Sequence, residues 1–417
     1  MNRRTFLQYN SALLTAAAFP HIVKAYNSKP TIRVLGTHVT LQEAIRQQAE
    51  KDLGINIEFY PAGDAELLLK ASTDPKSFDV YEQWSDSIKV LWMADTIQPI
   101  DIRKLTYWNE INSLSKTGRI LPDAKIGLGD APHKLLYVQP NRTLGAKPSN
   151  EVSFLPYVHN ADSFGYNSAI IPTGIAYETE SWSWLFDSRY KGKVAIVNAP
   201  TIGIFDLALA AQAQGLMKFK DIGNMSRDEI DWLFKIVVAK KREGHFRGVW
   251  TSVPNSVQLM GSGEVILESM FSPAASTLNG MGIPCIYAAP KEGFRAWHGV
   301  MCLSSQLLDS ERKEAAYAFM NWWLSGWAGA FIARQGYYIS NPQRAKNFMS
   351  KAEWDYWYEG KHASEPLQGT DGKISVKEGD CRTGGSYTKR FENVAVWNSV
   401  MDNYEYTLAK WNEFVLA

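Results

Sequence analysis

The chain has 417 residues, with 44 Lys and Arg against 43 Asp and Glu and a formal net charge of +1. That balance excludes the basic face of a nucleic-acid-binding protein, and the length implies two or three domain-sized units. Cys285, Cys302 and Cys381 are odd in number and widely spaced, so they form no complete disulfide framework.

The N-terminus reads as an address. Arg3-Arg4 precede Phe6-Leu7, a mild apolar stretch runs from Ser11 to Phe19, and Val23-Lys24-Ala25 offers a cleavage point. This pattern is that of a twin-arginine signal peptide over residues 1–25, which predicts a periplasmic protein exported in the folded state. The apolar stretch is too short to span a bilayer, and no later segment has the length and apolarity to do so.

After this segment, strand and helix patterns alternate. Thr31–Leu35 reads as a strand, Leu41–Leu53 as a helix and Ile55–Tyr60 as a strand with period two. Ala65–Ala71 is a short helix, Phe78–Tyr81 a strand and Ser87–Met93 a helix. The scheme returns with a strand at Lys193–Asn198, a helix at Phe205–Gln214 and an amphipathic helix at Arg227–Lys241 capped by Ser226. Val253–Met260 reads as a helix; Glu264–Met270, Ile283–Ala288 and Gly299–Ser304 read as strands. Ser310–Leu324 is a helix with Ser310 as its cap, and Tyr387–Val415 is expected to be helical. Repeated βα units predict an α/β fold with a largely parallel sheet. Asp123–Ser153 and Lys361–Gly385 have no clear period and read as irregular insertions (123–153 and 361–385).

The 15 Trp, 19 Tyr and 18 Phe are an unusual load. Most must pack the core, while a minority could line a cavity for a small organic ligand. Cys285 and Cys302 lie in apolar runs and read as small buried residues. No zinc-protease, nucleophile-elbow or phosphate-loop motif is present, and no Cys-x-x-Cys. Gly127-Leu128-Gly129 lacks the third glycine of a dinucleotide fingerprint. No enzyme activity, cofactor or metal is therefore expected. His298, beside Trp297, reads more readily as a hydrogen-bonded structural residue than as a ligand.

An ordered set of segments carries a resemblance. Phe78-Asp79-Val80 follows the opening units. Leu155-Pro156-Tyr157-Val158 leads to Phe164-Gly165-Tyr166-Asn167 and Ile171-Pro172. Ser181-Trp182-Ser183-Trp184-Leu185-Phe186 precedes Tyr190-Lys191-Gly192-Lys193-Val194, and Gly263-Glu264-Val265 leads to Met270-Phe271. Pro290-Lys291-Glu292-Gly293 leads to Ala296-Trp297, and Glu314-Ala315-Ala316 starts a helix leading to Gly336-Tyr337 and Asn341. In this order and spacing the chain, over most of residues 31–360, resembles the spermidine/putrescine-binding periplasmic proteins of ABC importers.

The resemblance implies a two-lobed periplasmic-binding-protein fold, with ligand held between lobes joined by crossing hinge strands. One lobe would take 31–160 and 297–345, the other 161–296 with the C-terminal helix 387–415 packed nearby. The crossings would fall near Tyr157–Ser163 and Ala288–Val300. It also implies a monomer that delivers a small organic solute to a membrane permease. A polyamine-like amine or quaternary ammonium would be held by aromatic rings and carboxylates. Trp297, Phe271 and Tyr337 match aromatic positions of that cleft, although Tyr338 could be the inward one. Trp84, Trp250 and Thr251 could complete an aromatic wall.

The carboxylate positions depart from the pattern. Gly299 stands where an acid is expected, Pro200 and Gly203 replace two more, and Gly36-Thr37-His38-Val39 replaces a Trp-Thr-Glu-Tyr segment. Counter-charge would then come from Glu82 or Asp86, near the cleft edge, or from Glu268 or another acid, and Thr37 and His38 join the candidate ligand-binding residues. Arg295 offers an alternative, a fork for a ligand carboxylate, although a surface salt bridge is its more ordinary use. Three further alternatives are a neutral solute, a two-lobed enzyme without a motif, and a metal carrier using Tyr337-Tyr338.

Overall fold

The computed structural model describes residues 29–417; the expected signal peptide lies outside them. Eight strands form one continuous path. They are β1 (Thr31–Gly36), β2 (Asn56–Pro61), β3 (Val80–Trp84), β4 (Leu155–Asn167), β5 (Val194–Val197), β6 (Phe246–Trp250), β7 (Leu267–Met270) and, after β8 (Cys285–Tyr287) at the side, β9 (Phe294–Ser304). Their order is β6-β5-β7-β4-β9-β3-β1-β2. At one end β1 pairs in parallel with β2 and β3, and at the other β5 pairs in parallel with β6 and β7.

The long strands β4 and β9 join these halves. Leu155–Asp162 of β4 pairs antiparallel with β9, whereas Ser163–Tyr166 pairs with β7. Likewise β9 gives Gly299–Leu303 to β3 and Phe294–Ala296 to a further strand, β10 (Val394–Trp397). Both are buried along nearly their whole length, so their polar members, among them His159, Asn160, Asp162, Arg295 and His298, need partners inside the fold. The fold is the two-lobed α/β architecture expected, with the chain passing between lobes on β4 and β9.

Each half carries its own core. Ile32, Val34, Ile45, Val80, Val300 and Trp323 pack together in one, and Phe164, Val194, Phe205, Leu233, Trp411 and Phe414 in the other. Helices cover the faces: α1 (Glu43–Leu53), α2 (Asp64–Thr73) and, late in the chain, α7 (Ser310–Trp323) on the first; α3 (Pro200–Ala213), α4 (Arg227–Arg242), α5 (Val253–Gly261), α6 (Ser272–Gly280) and α8 (Tyr404–Leu416) on the second. In α4 the Ser226 hydroxyl receives the Glu229 N–H while the Glu229 carboxylate receives the Ser226 N–H, a reciprocal cap. Trp411 of α8 meets Phe234 of α4 edge-on at 6.4 Å.

Several elements differ from the sequence reading. The cap of α7 is Asp309, whose carboxylate takes the Arg312 N–H at 2.7 Å; Ser310 is the first helical residue. Tyr387–Val415 is not one helix: a short helix at Tyr387–Phe391 and α8 flank β10. Val394–Trp397 is strand because it has β9 to pair with, a tertiary partner that periodicity cannot reveal. Residues 123–153 contain the short strands Tyr137–Val138, Leu144–Gly145 and Glu151–Val152, sheeted with Ile100–Asp101, and 361–385 contains a hairpin of Leu367–Gln368 with Ile374–Val376. Strands this short are too brief to show a period. No helix among the described residues is long and apolar enough to cross a membrane.

Candidate functional site

In open α/β sheets, ligands bind beyond the carboxyl ends of the strands. Here those ends from the two halves face one another. The turn after β2 presents Asp64, the first residue of α2, and the turn after β5 presents Thr201 in the first turn of α3; Thr201 Oγ1 donates to Asp64 Oδ2 at 3.2 Å across the gap. On another flank, a Cβ placed on Gly336 would lie 2.1 Å from Ser272 Oγ. The cleft is closed.

At its floor lies an aromatic row. Trp84, at the end of β3, packs on Trp297 of β9 with centroids 4.5 Å apart, and Trp297 meets Tyr337 edge-on at 5.5 Å. With Val39, Ile202 and Phe271 these residues enclose a small cavity. It offers about 10 Å³ for the centre of a water-sized sphere, enough for about one water molecule. A larger solute can enter only if the halves part. Two larger hollows, one beside Pro30 and Ser310 and one between Thr277 and Thr370, gather no aromatic side chain.

The row is anchored from below. Trp297 Nε1 donates to Asp162 Oδ2 at 2.7 Å, and Asp162 also accepts from Tyr287 Oη at 3.0 Å and Asn160 Nδ2 at 2.9 Å. Asp162 lies on β4 and Trp297 on β9, so this bond ties one crossing strand to the other. Burial raises the Asp162 carboxyl, with Arg295 opposing.

Of the expected residues, the structure brings Trp84, Trp297, Tyr337 and Phe271 together. Tyr337 faces the cavity, while Tyr338 turns away to accept from Arg382 Nη1 at 2.6 Å. Trp250 stands behind, edge-on to Phe271 at 5.1 Å, with its Nε1 donating to the Ser269 carbonyl.

The charged candidates sit elsewhere. Glu82 is buried beneath the loop after β1, accepting from Thr37 N at 2.7 Å and Thr37 Oγ1 at 2.9 Å; burial raises its pKa. Thr37 is buried with it, whereas His38 is exposed. Glu268 lies under α5, accepting from Ser256 Oγ at 2.7 Å, and burial pushes its pKa up to about 8. Asp86 is buried with Oδ1 unpartnered, and burial, followed by repulsion from Asp64 and Asp130, raises it well above the carboxylate range.

Arg295 is neither a surface pair nor open to a ligand. It is fully buried, with Nε on Asp206 Oδ1 at 2.7 Å, Nη1 on Asn398 Oδ1 at 3.2 Å and Nη1 3.7 Å from Asp162 Oδ2. The guanidinium is committed to two buried carboxylates that would otherwise lack compensation. His298 is likewise structural, bonded to Ser115 Oγ and the Gly299 carbonyl, each at 2.8 Å, and packed at a tilt against His159 with centroids 4.8 Å apart. Gly299 is a tight place for any side chain: a Cβ there would lie 3.0 Å from the Val158 carbonyl oxygen, so an acid would need the neighbouring backbone to shift. No cluster of three or more His, Cys, Asp or Glu suited to a metal ion occurs among the described residues. Cys285 and Cys302 are buried and free, and Cys381 is exposed and free.

Asp64 was missed by sequence reasoning. Its signal was positional: the first residue of a helix directly beyond a parallel strand.

Residues 44–356 match the family described as bacterial extracellular solute-binding protein. This match covers most of the chain, which therefore belongs to that family, the substrate-binding components that serve ABC importers. No curated protein sequence matches the chain. Among solved structures it resembles a putative spermidine/putrescine ABC transporter protein of Listeria monocytogenes (14% identity, 93% of this chain and 98% of that one, TM-score 0.64). It also resembles the TpPotD lipoprotein of Treponema pallidum (12%, 93% and 100%, 0.64) and AgtB of A. tumefaciens R10 in complex with agropinic acid (13%, 93% and 99%, 0.58). At these identities the likeness concerns the fold.

Proposed function

We propose that this protein captures a small amine-bearing organic solute outside the cytoplasm, closes its two lobes over it and delivers it to a membrane permease. The observation that carries the reading is the aromatic row Trp84–Trp297–Tyr337, faced by Phe271, at the seam of the lobes, with Trp297 itself on the crossing strand β9. Aromatic faces attract a diffuse cation and pack against methylenes, and a ring fixed on a crossing strand touches ligand only where both lobes meet. Closure then follows from the solute's preference for the closed state. Arg3-Arg4 supports export by the twin-arginine route.

The solute itself is not set by fold likeness, since similar structures are described both with spermidine/putrescine transport and with agropinic acid. A polyamine of the spermidine type meets few counter-charges, because Glu82 and Glu268 are buried off the cavity and Gly299 supplies no acid. The test is a thermal-shift screen of amines, betaines and organic acids on the purified protein, followed by product analysis. A stabilising solute recovered unchanged, with affinity lost in Trp297→Ala, supports the reading; turnover of the solute, or unchanged affinity in the variant, overturns it.

A further inference from the structure

We propose that the cleft is charge-polarised and takes a zwitterion, with the ammonium group at an acidic end formed by Asp64 and Asp86 and the carboxylate at a basic end formed by Arg382 and the first turn of α6. The inference rests on the cleft reading above and names the solute class within it.

At the acidic end, Asp64 Oδ2 bridges to Thr201 of the other lobe and its carboxylate also receives Gln83 Nε2. Asp86 follows Trp84 by two residues, is 3% exposed and has Oδ1 unpartnered. The nearby cation, Lys89, is held by Asp130 at 2.8 Å and by the Val400 carbonyl. Neither Asp64 nor Asp86 makes an ion pair among the described residues. Burial pushes the Asp64 pKa up to about 6, and burial with repulsion from Asp64 raises that of Asp86. Desolvated carboxylates without a cation are costly, and an ammonium set between them reverses both effects.

The opposite flank has the opposite sign. Arg382 is 7% exposed and has no carboxylate partner among the described residues. Its Nη1 donates to Tyr338 Oη at 2.6 Å and the Trp357 carbonyl at 3.3 Å, and its Nη2 to the Gly336 carbonyl at 2.6 Å. It also lies over the rings of Tyr338 and Trp357 at 4.8 and 5.2 Å. A Cβ on Gly336 would meet both Ser272 Oγ and, at 3.4 Å, Arg382 Nη2. The guanidinium therefore neighbours the N-terminus of the nine-residue helix α6, where the helix dipole favours an anion, although Pro273 carries no N–H and that of Ala274 is bonded to the Phe271 carbonyl at 2.9 Å. Tyr337 and Phe271, the immediate neighbours of Gly336 and Ser272, line the cavity.

Strand order sets the spacing. From β3 to Tyr338–Ile339 the path runs through β9 and β4, inter-strand steps of about 4.8 Å each, which puts the charged ends on the order of 10 Å apart once side chains reach inward. Trp84, Trp297 and Tyr337 pave the interval. A diamine would set its second ammonium against Arg382, a repulsive contact that selects against it.

Isothermal titration of the full chain with 8-aminooctanoate, 1,8-diaminooctane, octylamine and octanoate, all of matched length, reads the polarity directly. The expected result is at least tenfold tighter binding of 8-aminooctanoate than of the other compounds, with 4-aminobutyrate weaker than 8-aminooctanoate. Asp64→Asn removes the advantage over octanoate, and Arg382→Gln removes the advantage over octylamine. Should Arg382→Gln not fold, the comparison on the unaltered protein still decides. Diamine binding as tight as the amino acid overturns the polarity. If these zwitterions fail but another solute binds in a Trp297-dependent manner, the solute class is wrong and the cleft reading stands; if no small solute binds, both fall.

Discussion

Replacing Arg295 by Met separates a structural from a ligand-binding role. The guanidinium is fully buried between Asp206 and Asp162, at 2.7 and 3.7 Å. Removing one partner of a buried ionic cluster costs about 3–5 kcal/mol, because the remaining charges stay uncompensated. For a chain of this length an unfolding entropy of about 0.8 kcal/mol/K converts this to a fall in Tm of about 4–6 °C.

The pH dependence follows from Asp206, whose pKa burial pushes up to about 6 against the pull of Arg295. Without Arg295 that pKa rises further. An acid whose folded pKa exceeds its unfolded value binds more protons when folded, so stability falls as pH rises from the unfolded pKa near 4 through the folded one. Calorimetry of Arg295→Met at pH 5 and pH 8 should therefore show the larger loss at pH 8. Solute affinity, measured on the folded variant, should change less than threefold. A Tm within 1 °C of the unaltered protein, an equal loss at both pH values, or affinity lost with stability intact would refute the structural assignment.

Other outcomes follow from particular environments. Glu268 is protonated in the fold at neutral pH, with pKa about 8 from burial, so it lowers stability as pH rises from about 4.5 to 8. Glu268→Gln should raise Tm at pH 8 and leave it nearly unchanged at pH 5, which differential scanning fluorimetry across pH checks. His298 has its pKa lowered to about 4 by burial; the unfolded state binds the proton first, so stability falls as pH drops from about 6.5 to 4, and His298→Asn should flatten that acid limb of the Tm profile. Gly299→Asp, which places an acid beside Trp297, should cost about 1–3 kcal/mol by overpacking against Val158 and Tyr157 and should not produce spermidine binding, as denaturant unfolding and titration would show.

The aromatic row was legible because Trp297 ends a recognisable Pro-Lys-Glu-Gly segment and Tyr337 follows a glycine in a fixed order; both positions depend on strand ends that periodicity locates. The acid–base pattern was not. Arg295 lies two residues before Trp297, on the same face of β9, and both reach Asp162; its guanidinium goes on to Asp206 on α3, and nothing local marks a residue over 80 positions away as its partner. Arg382 fell in a stretch read as an irregular insertion, and Val394–Trp397 in a stretch read as helix. Val394–Trp397 takes its place through pairing with β9, and Arg382 through its bonds to Tyr338, Trp357 and Gly336, which are properties of the whole fold rather than of either segment.

Native mass spectrometry of the protein recovered from its exporting cell tests the central claim most directly. The account predicts one small organic adduct at unit stoichiometry, released unchanged on unfolding and absent from Trp297→Ala. Adduct retained in that variant would place the solute outside the aromatic cleft, and a chemically converted product in its place would contradict the assignment as a solute-binding protein.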